Sequence, residues 1–273
     1  MKRILKKLRE LQKKGQLSRV LTYKFLLRTG LGRLVSFTAQ GVRLRLFPSE
    51  MTYEAWKTPA NYRSEDATFL KKVLKPGGLV VDVGANIGMI AMQSAKLVGK
   101  SGRVIAIEPN PRIAAFCEKN LQLNGLENVT LLQTALGSEE GFVSFNCDPC
   151  DDRSRVVTEG GVKVPLTTLD KVMERVPNGK INLLKIDVEG FELSVLEGAT
   201  KSLERTQWLY MEVEAENYSK YGKTTEDVMA ILDAHGFDSF YCDDAGQWQP
   251  IKQSIPRAIN LIGKKRALVE QGG

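Results

Sequence analysis

The 273-residue sequence has little histidine and little cysteine: His235 is the only histidine, and the four cysteines are Cys117, Cys147, Cys150 and Cys242. So few cysteines in a chain of this length exclude a disulfide framework. No apolar run reaches the roughly 18 residues that a membrane-spanning helix needs, and no hydrophobic signal core is found. The sequence therefore predicts a protein of the reducing cytoplasm. Cys147 and Cys150 form a CDPC sequence, but the second pair or the histidines of a zinc site are missing.

Acidic residues are nearly absent from the N-terminal segment. Residues 1–45 contain 13 Lys and Arg against Glu10 alone, whereas the rest of the chain contains 26 basic and 31 acidic residues. Apolar residues recur at helical spacing among these cations, which predicts a basic amphipathic helix over residues 2–28. The first apolar stripe of this helix consists of Ile4, Leu5, Leu8 and Leu11. Such a stripe suits packing on the rest of the protein, contact with an anionic membrane surface, or contact with nucleic acid or another protein.

After the arm, alternating apolar residues predict a small hairpin from residues 34–39 and 42–47, and a helix follows over 64–74. Apolar strands then alternate with helices, which predicts a mostly parallel sheet with helices on both faces. The predicted strands are 79–83, 103–107, 129–133, 181–187, 208–214, 237–241 and 257–263. The predicted helices are 87–98, 110–124, 190–204 and 224–235. This organisation divides the chain into an arm with a hairpin, residues 1–61, and an α/β domain, residues 62–273.

One segment interrupts the alternation. Residues 138–168 contain GFVSFN, the polar sequence CDPCDDRSR and VKVPLTTLD, which together predict a β-hairpin insertion near the ligand-binding edge of the sheet. The DDRSR sequence, residues 151–155, is either a lid over the site or a solvated loop.

The sequence VVDVGANIG, residues 80–88, follows the first predicted strand, where open α/β sheets collect their ligands. Gly84 and Gly88 allow the backbone to approach a ligand closely. A dinucleotide site would need G-x-G-x-x-G, but Asn86 and Met89 occupy two of those glycine positions. Asp82 would repel a diphosphate, but it suits a ligand with an ammonium and a sulfonium. S-adenosylmethionine carries both groups.

The second predicted strand supports the same ligand. RVIAIEPN places Glu108 at the end of this strand, where a carboxylate can accept both hydroxyls of a ribose. A single acid at a strand end is weak evidence. Asp82, the glycine turn and Glu108 in consecutive strand-helix units favour S-adenosylmethionine over NAD, FAD or an ordinary sheet whose acids only cap helices.

These motifs resemble the FkbM family of S-adenosylmethionine-dependent methyltransferases, within the class I Rossmann-like superfamily. The resemblance rests on VVDVGANIG, on RVIAIEPNP and the helix after it, on VPLTTLD, and on KIDVEGFELSVLEGA and WLYMEVE, and it spans about residues 62–215. It implies a seven-stranded sheet of order 3-2-1-4-5-7-6 with strand 7 antiparallel. It also implies methyl transfer, typically to an oxygen of a small-molecule, sugar or lipid-like acceptor, with S-adenosylhomocysteine as the second product.

The resemblance assigns the cofactor site residue by residue. The residues that match the cofactor loop, the ribose and adenine edge, the end of strand three and the methionine side are Asp82, Gly84, Ala85, Asn86, Gly88, Glu108, Pro109, Asn110, Thr134, Ala135 and Asp187.

A hydroxyl acceptor must lose its proton as the methyl group arrives, and a positioned carboxylate can take it. Asp187 and Glu189 follow the fourth predicted strand and Glu212 lies on the fifth, so these three residues are the catalytic candidates. Capping of the following helix is the alternative for Asp187 and Glu189. Lys185 shares a strand face with Asp187, which predicts either an ion pair or orientation of the acceptor. His235 lies at a predicted helix end, where its charge is simply favourable.

Clustered carboxylates would suit a divalent cation such as magnesium, but their spacing in the sequence does not identify a set of metal ligands. No metal site is therefore predicted. Two other functions remain open. The basic arm could neutralise the phosphates of an RNA substrate, although no NPPY-type tetrad follows strand four and aromatic residues are sparse in the arm. A non-catalytic, membrane-associated binding module with the same fold is the third hypothesis. The sequence gives no oligomeric state.

Overall fold

The computed structural model describes residues 10, 12–145, 156–157, 160–176, 179–219, 222–243, 246–251 and 259–266. The strands in this part of the chain are β1 Ser36–Ala39, β2 Val42–Arg45, β3 Leu79–Val83, β4 Arg103–Ile107, β5 Val129–Leu132, β6 Ala135–Leu136, β7 Gly141–Phe145, β8 Val156–Val157, β9 Val162–Thr167, β10 Ile181–Ile186, β11 Thr206–Val213, β12 Phe237–Cys242, β13 Trp248–Pro250 and β14 Ile259–Lys265. The α-helices are Leu17–Arg28, Glu50–Lys57, Ser64–Val73, Met89–Val98, Pro111–Asn124, Leu169–Met173, Glu192–Glu197, Thr200–Glu204, Ala215–Ser219 and Thr225–Ala234, with a 3₁₀ helix at Leu31–Leu34.

The central sheet has the order β13-β12-β14-β11-β10-β3-β4-β5 in the described residues. β3, β4, β5, β10 and β11 pair in parallel, and β14 is antiparallel to both β11 and β12. The predicted order 3-2-1-4-5-7-6 with an antiparallel strand 7 is therefore confirmed. The short β13, which the sequence pattern did not predict, adds an eighth strand at one edge.

Both faces of the sheet are apolar, because its strands are continuous hydrophobic runs. Val81 and Val83 of β3 contribute to one core cluster, and Val80 contributes to the cluster on the opposite face. Asp82 and Lys185 lie on the same face as Val80 and are adjacent in register on β3 and β10. A buried cation therefore lies beside a buried acid within an otherwise apolar layer.

The N-terminal helix is shorter than predicted. In place of one helix over residues 2–28, the helical turn that includes Lys13 ends before Gly15, which has φ 65°, and a new helix runs from Leu17 to Arg28. A positive φ is favourable for glycine and ends a regular helix. Residues 1–9 and 11, which hold the first predicted apolar stripe, lie outside the described residues. No helix in the described ranges is both long enough and apolar enough to cross a bilayer.

The predicted hairpin is present as β1 and β2, and it packs on the α/β domain. Its buried residues Val42 and Leu44 share a core cluster with Met89 and Ile113 of the two helices that follow β3 and β4. The hairpin therefore has no core separate from that of the domain, and the division of the chain at residues 61 and 62 stays a prediction.

Two asparagines of the helix Pro111–Asn124 bind the open edge of β2. Asn124 Oδ1 accepts the Arg43 N–H and its Nδ2 donates to the Arg43 carbonyl, at 2.9 and 2.7 Å. The fully buried Asn120 accepts the Arg45 N–H through Oδ1 and donates to the Ile87 carbonyl. The helix thus fastens the hairpin to the turn after β3.

The predicted insertion is confirmed as an antiparallel pair of β7 and β9, which with β6 and β8 forms a separate four-stranded sheet. CDPC and DDRSR lie outside the described residues. The predicted helix 190–204 is divided at Gly198, where a Cβ would lie 2.0 Å from the Gly137 carbonyl oxygen. The helix Glu50–Lys57 was not predicted, although Ser49 caps it by accepting the Thr52 N–H.

Replacing Asn120 by alanine tests the connection between hairpin and turn. The change leaves the Arg45 N–H and the Ile87 carbonyl without their partner, and we expect a loss of about 2–4 kcal/mol in the free energy of unfolding. Urea denaturation measures this loss. The exposed Gln122 of the same helix is the control, and Gln122→Ala should change stability by less than about 0.5 kcal/mol. Equal effects of the two substitutions would contradict the assignment.

Candidate cofactor and active site

The turn after β3 is held by backbone contacts that only glycine allows. The N–H groups of Gly84 and Ala85 both donate to the Ile107 carbonyl at 2.9 Å. Gly84 has φ 77°, and a Cβ at this position would lie 1.8 Å from the Asp187 carbonyl oxygen. Gly88 has φ 87° and precedes the first residue of the next helix. The turn therefore packs directly on the loop that follows β10.

Glu108 closes the opposite side of this turn. Its Oε2 accepts the Asn86 N–H and its Oε1 accepts the Asn110 N–H, both at 2.9 Å. Burial raises the pKa of Glu108 to about 7, and the two backbone hydrogen bonds act in the opposite direction. Asn110 itself is buried and caps the helix Pro111–Asn124 by accepting the Arg112 N–H. The carboxylate thus fixes the position of the loop as well as the end of β4.

Lys185 is the centre of the charges beneath the turn. Its ammonium lies 3.3 Å from Asp82 Oδ1 and 3.4 Å from Asp187 Oδ2, and it donates to the Gly84 carbonyl at 2.9 Å. Burial alone would lower the pKa of Lys185, but the carboxylates of Asp187 and Asp82 outweigh burial and raise it. The ion pair predicted between Lys185 and Asp187 is therefore present, and it includes Asp82 as well.

Asp82 is fully buried under the turn and does not line the cavity described below. Burial raises the pKa of Asp82, and the neighbouring Lys185 opposes that shift. Asp82 contacts Lys185, and Lys185 lines the cavity. A direct contact between Asp82 and a ligand stays a prediction.

Asp187 receives a second cation, Arg63, which the sequence pattern did not indicate. Arg63 Nη2 lies 3.5 Å from Asp187 Oδ2, and its Nη1 lies 3.3 Å from Asp66 Oδ2. Tyr210 donates from its hydroxyl to the other oxygen of Asp66 at 2.6 Å. Burial would raise the pKa of Asp187, but Lys185 and Arg63 outweigh it and lower that pKa. Asp187 is therefore held as a carboxylate.

The surroundings of Glu212 shift its pKa in the opposite direction to that of Asp187. Partial burial and the nearby Asp187 carboxylate raise the pKa of Glu212 to about 7 although its side chain keeps access to solvent, Arg63 only partly compensates, and the Glu189 carboxylate adds to the increase. Glu189 has φ 55°. Its turn is held by the buried Glu192, whose Oε1 accepts the N–H groups of Val188 and Gly190 at 3.1 Å. Glu192 therefore has a structural role in presenting Glu189.

These residues surround a cavity of about 450 Å³ at the carboxyl ends of the parallel strands. Among its described lining residues, seven are acidic and two are basic. The acidic residues are Glu50, Glu54, Glu108, Asp187, Glu189, Glu212 and Glu214, and the basic residues are Arg63 and Lys185. The excess of carboxylates favours a ligand with positive charge and disfavours a diphosphate.

The cavity brings together most of the residues predicted for the site. Those that line it are Gly84, Ala85, Asn86, Glu108, Pro109, Thr134, Ala135, Asp187, Glu189 and Glu212. Asp82, Gly88 and Asn110 lie behind this lining and position it. Thr134 donates from its hydroxyl to the Pro165 carbonyl at 3.0 Å, which connects the cavity to β9 of the insertion.

The residues that sequence reasoning missed come from outside the recognised motifs. The helix Glu50–Lys57 contributes Glu50, Met51 and Glu54, and β7 of the insertion contributes Phe145. Long-range packing brings these segments to the cavity, and the Ser49 cap was the one local signal that could have revealed the helix.

Among the described residues, no group of three or more His, Cys, Asp or Glu side chains is arranged to hold a metal ion. His235 caps the C-terminal end of the helix Thr225–Ala234 and does not line the cavity.

Comparison with known proteins identifies related sequences. A family model described as the methyltransferase FkbM domain matches residues 82–239. The hexuronic acid methyltransferase AglP of Haloferax volcanii is 33% identical over 154 residues, which are 55% of this chain and 59% of AglP. The 2-O-methyltransferase NoeI of Sinorhizobium fredii is 25% identical over 158 residues, 50% of this chain and 64% of NoeI. The matched stretches therefore span less than two thirds of either relative.

Among solved structures, the methyltransferase FkbM of Methylobacillus flagellatus aligns over 78% of this chain and 53% of its own, with a TM-score of 0.45 and 16% identity. The family match confirms the resemblance found in the sequence.

Replacing Lys185 by methionine tests the charge cluster under the turn. The change leaves the carboxylates of Asp82 and Asp187 buried without their shared cation, and we expect the free energy of unfolding to fall by about 3–5 kcal/mol. Chemical denaturation of the purified protein measures it. Adding Asp82→Asn removes the isolated charge, so the double variant should recover part of that loss.

The matched control is the exposed Lys180, which precedes β10. Lys180→Met should leave the stability within about 0.5 kcal/mol of the original protein. Strictly additive losses in the Asp82 and Lys185 double variant would show that the two side chains do not interact.

Proposed function

Because the chain belongs to the FkbM methyltransferase family, we propose that it transfers the methyl group of S-adenosylmethionine to a hydroxyl oxygen of a small-molecule, sugar or lipid-like acceptor. The name of one relative, a hexuronic acid methyltransferase, supports a sugar acceptor, and that of another, a 2-O-methyltransferase, supports transfer to an oxygen. The observation that carries the proposal is the acid-rich cavity at the strand ends, with its glycine turn and Glu108.

The residues present fit S-adenosylmethionine. The cavity of about 450 Å³ lies within the range of roughly 300–1,000 Å³ that is usual for small-molecule sites. Its wall combines carboxylates, which suit a sulfonium and an ammonium, with apolar residues that suit an adenine ring: Ile107, Pro109, Leu136, Phe145 and Phe191. When bound, S-adenosylmethionine supplies an electrophilic methyl group on a positively charged sulfur.

Glu108 is proposed to hold the ribose. Each carboxylate oxygen has two acceptor positions, and each oxygen of Glu108 uses one for a backbone N–H, of Asn86 or Asn110. The second position of each oxygen can accept a ribose hydroxyl. Because the backbone hydrogen bonds fix the carboxylate in place, little conformational entropy is lost when a ligand binds.

Glu212 is the best candidate for the base that takes the proton of the acceptor. A general base works best when its pKa is close to the working pH, and the pKa of Glu212 is raised to about 7. Asp187 is a weaker base, because Lys185 and Arg63 lower its pKa. We assign Asp187 to orientation of the site, and Glu189 to the wall beside Glu212.

The same charges select the acceptor. The acid-rich wall disfavours a phosphodiester backbone, which argues against RNA as the substrate. The non-catalytic alternative is less favoured, because a base candidate and the residues proposed for the cofactor line the same cavity.

Calorimetry with S-adenosylhomocysteine tests the cofactor site. The original protein should bind it, and Glu108→Gln should weaken binding by about 10- to 100-fold, because a neutral amide replaces a charged acceptor. Glu118, on the helix that follows Glu108, is exposed and outside the cavity. Glu118→Gln should leave the affinity unchanged. Absence of binding by the original protein would refute the proposed cofactor, and equal affinities of the two variants would refute the role of Glu108.

A transfer assay tests the acceptor and the base. Labelled S-adenosylmethionine is supplied with a panel of neutral sugars, uronic acids and glycolipids, and we expect label on a hydroxyl oxygen of one of these acceptors. The assay uses saturating S-adenosylmethionine, because Glu108 in the cofactor site also has a pKa of about 7. Since Glu212 must be ionised to accept a proton, kcat/KM for the acceptor should then rise with pH through about 7 and level off. Glu212→Gln should lower kcat by about 10²–10⁴-fold and abolish that rise.

The control for this assay is Glu214, which lines the same cavity two residues further along the chain. Glu214→Gln should keep the rise near pH 7. If Glu212→Gln kept the same pH profile, another group would be the base. Transfer to RNA alone would overturn the proposed acceptor class while leaving the cofactor site intact.

A further inference from the structure

The described surface has an unusual concentration of exposed apolar side chains near the N-terminus. Six large hydrophobic residues are exposed in the described residues, and four of them lie between residues 21 and 34. They are Leu21, Phe25, Leu31 and Leu34, which are 55, 60, 45 and 73% exposed. Leu21 and Phe25 are one helical turn apart, and Leu31 and Leu34 share one side of the 3₁₀ helix. We call these four residues the apolar patch.

The helix Leu17–Arg28 cannot rotate to bury Leu21 and Phe25, because its opposite face is hydrogen-bonded to the rest of the protein. Tyr23 is buried and donates from its hydroxyl to the carbonyls of Phe47 and Ser49 at 3.0 and 3.1 Å. Arg19 and Trp56 exchange two hydrogen bonds, each between a side chain and the other residue's carbonyl, at 2.9 and 2.7 Å. These contacts hold Leu21 and Phe25 toward solvent.

The segment that carries the patch has charge of one sign. Residues 11–49 contain eight Lys and Arg and no Asp or Glu. Lys24, Arg28 and Arg33, which alternate with the patch residues along the chain, are all exposed. Exposed apolar side chains that alternate with exposed cations match the chemistry of an anionic lipid surface, where apolar side chains enter the headgroup region and cations meet lipid phosphates.

We propose that the apolar patch and its surrounding cations dock on an anionic membrane surface. A second copy of the chain fits less well, because a symmetric contact would bring the exposed cations of both copies together. Nucleic acid would use the cations, but it gives no reason for four exposed aliphatic and aromatic side chains. The proposal does not depend on the proposed function.

The helix that carries Leu21 and Phe25 of the apolar patch contacts a second helix that lines the cavity. The helix Leu17–Arg28 contacts Trp56 of the helix Glu50–Lys57, and that second helix lines the cavity with Glu50, Met51 and Glu54. Docking would therefore place this part of the cavity wall on the far side of the helix Leu17–Arg28 from the lipid surface, about one helix diameter away. This arrangement suits a lipid-held acceptor.

Sedimentation of the full chain with vesicles tests the proposal. The protein should bind vesicles that contain phosphatidylserine and not vesicles of phosphatidylcholine alone, and salt should weaken the binding. Phe25→Ser combined with Leu34→Ser should reduce partitioning by about tenfold or more, since two exposed apolar side chains are lost. Lys24→Gln combined with Arg28→Gln should have an effect of similar size.

Phe142 and Lys163 provide a matched control on the insertion. Phe142 is 66% exposed and the Lys163 ammonium lies 4.9 Å from the centre of its ring, so this pair resembles the patch in chemistry. Phe142→Ser and Lys163→Gln should leave vesicle binding unchanged. Thermal unfolding of each variant verifies that the exposed substitutions preserve the fold.

Three results would overturn the proposal. The first is equal binding to neutral and anionic vesicles, or no binding to either. The second is vesicle binding that is abolished by Leu5→Ser combined with Leu8→Ser but retained by the patch variants. The membrane contact would then lie in residues 1–11. The third is a dimer in light scattering that the patch variants convert to a monomer, because the patch would then be a contact between copies.

Discussion

The site depends on one buried cation. Lys185 lies between Asp82 and Asp187 and donates to the Gly84 carbonyl, so a single ammonium connects β3, β10 and the turn between β3 and its helix. Its place is set by the register of two parallel strands, in which Lys185 lies beside Asp82. Buried ion pairs contribute little net stability, because desolvation offsets most of their attraction, but removal of one partner is costly. The cluster therefore contributes little net stability, but it connects the turn to β3 and β10.

The positions of the cations also divide the acids of the cavity into two kinds. Asp187 contacts both Lys185 and Arg63, so its pKa is lowered and it stays ionised. Partial burial and the nearby Asp187 raise the pKa of Glu212 to about 7, and Arg63 only partly compensates. Two carboxylates in one cavity thereby differ in pKa, a common way in which acid and base roles are separated. The proposed role of Glu212 as base rests on this difference.

Local chemistry explains which parts could be predicted from the sequence. The strands of the sheet follow from buried apolar runs, and Gly84 and Glu108 follow from the turn chemistry at the ends of β3 and β4. The sequence could not tell that Asp82 lies beneath the turn, because the depth of a strand residue is set by which face the neighbouring helices cover. It also could not place Arg63 or the helix Glu50–Lys57 at the cavity, since both arrive there through long-range packing.

Backbone strain at the cavity wall shows how its shape is maintained. The described chain has four residues other than glycine with positive φ, and three of them, Arg63, Asn86 and Glu189, line the cavity. Such conformations cost of order 1–3 kcal/mol each and persist only when surrounding contacts impose them. Here the Asn86 N–H is bound by Glu108, and the turn that contains Glu189 is bound by Glu192. These protein contacts therefore help to hold the wall in its shape and offset part of the cost of the strained conformations.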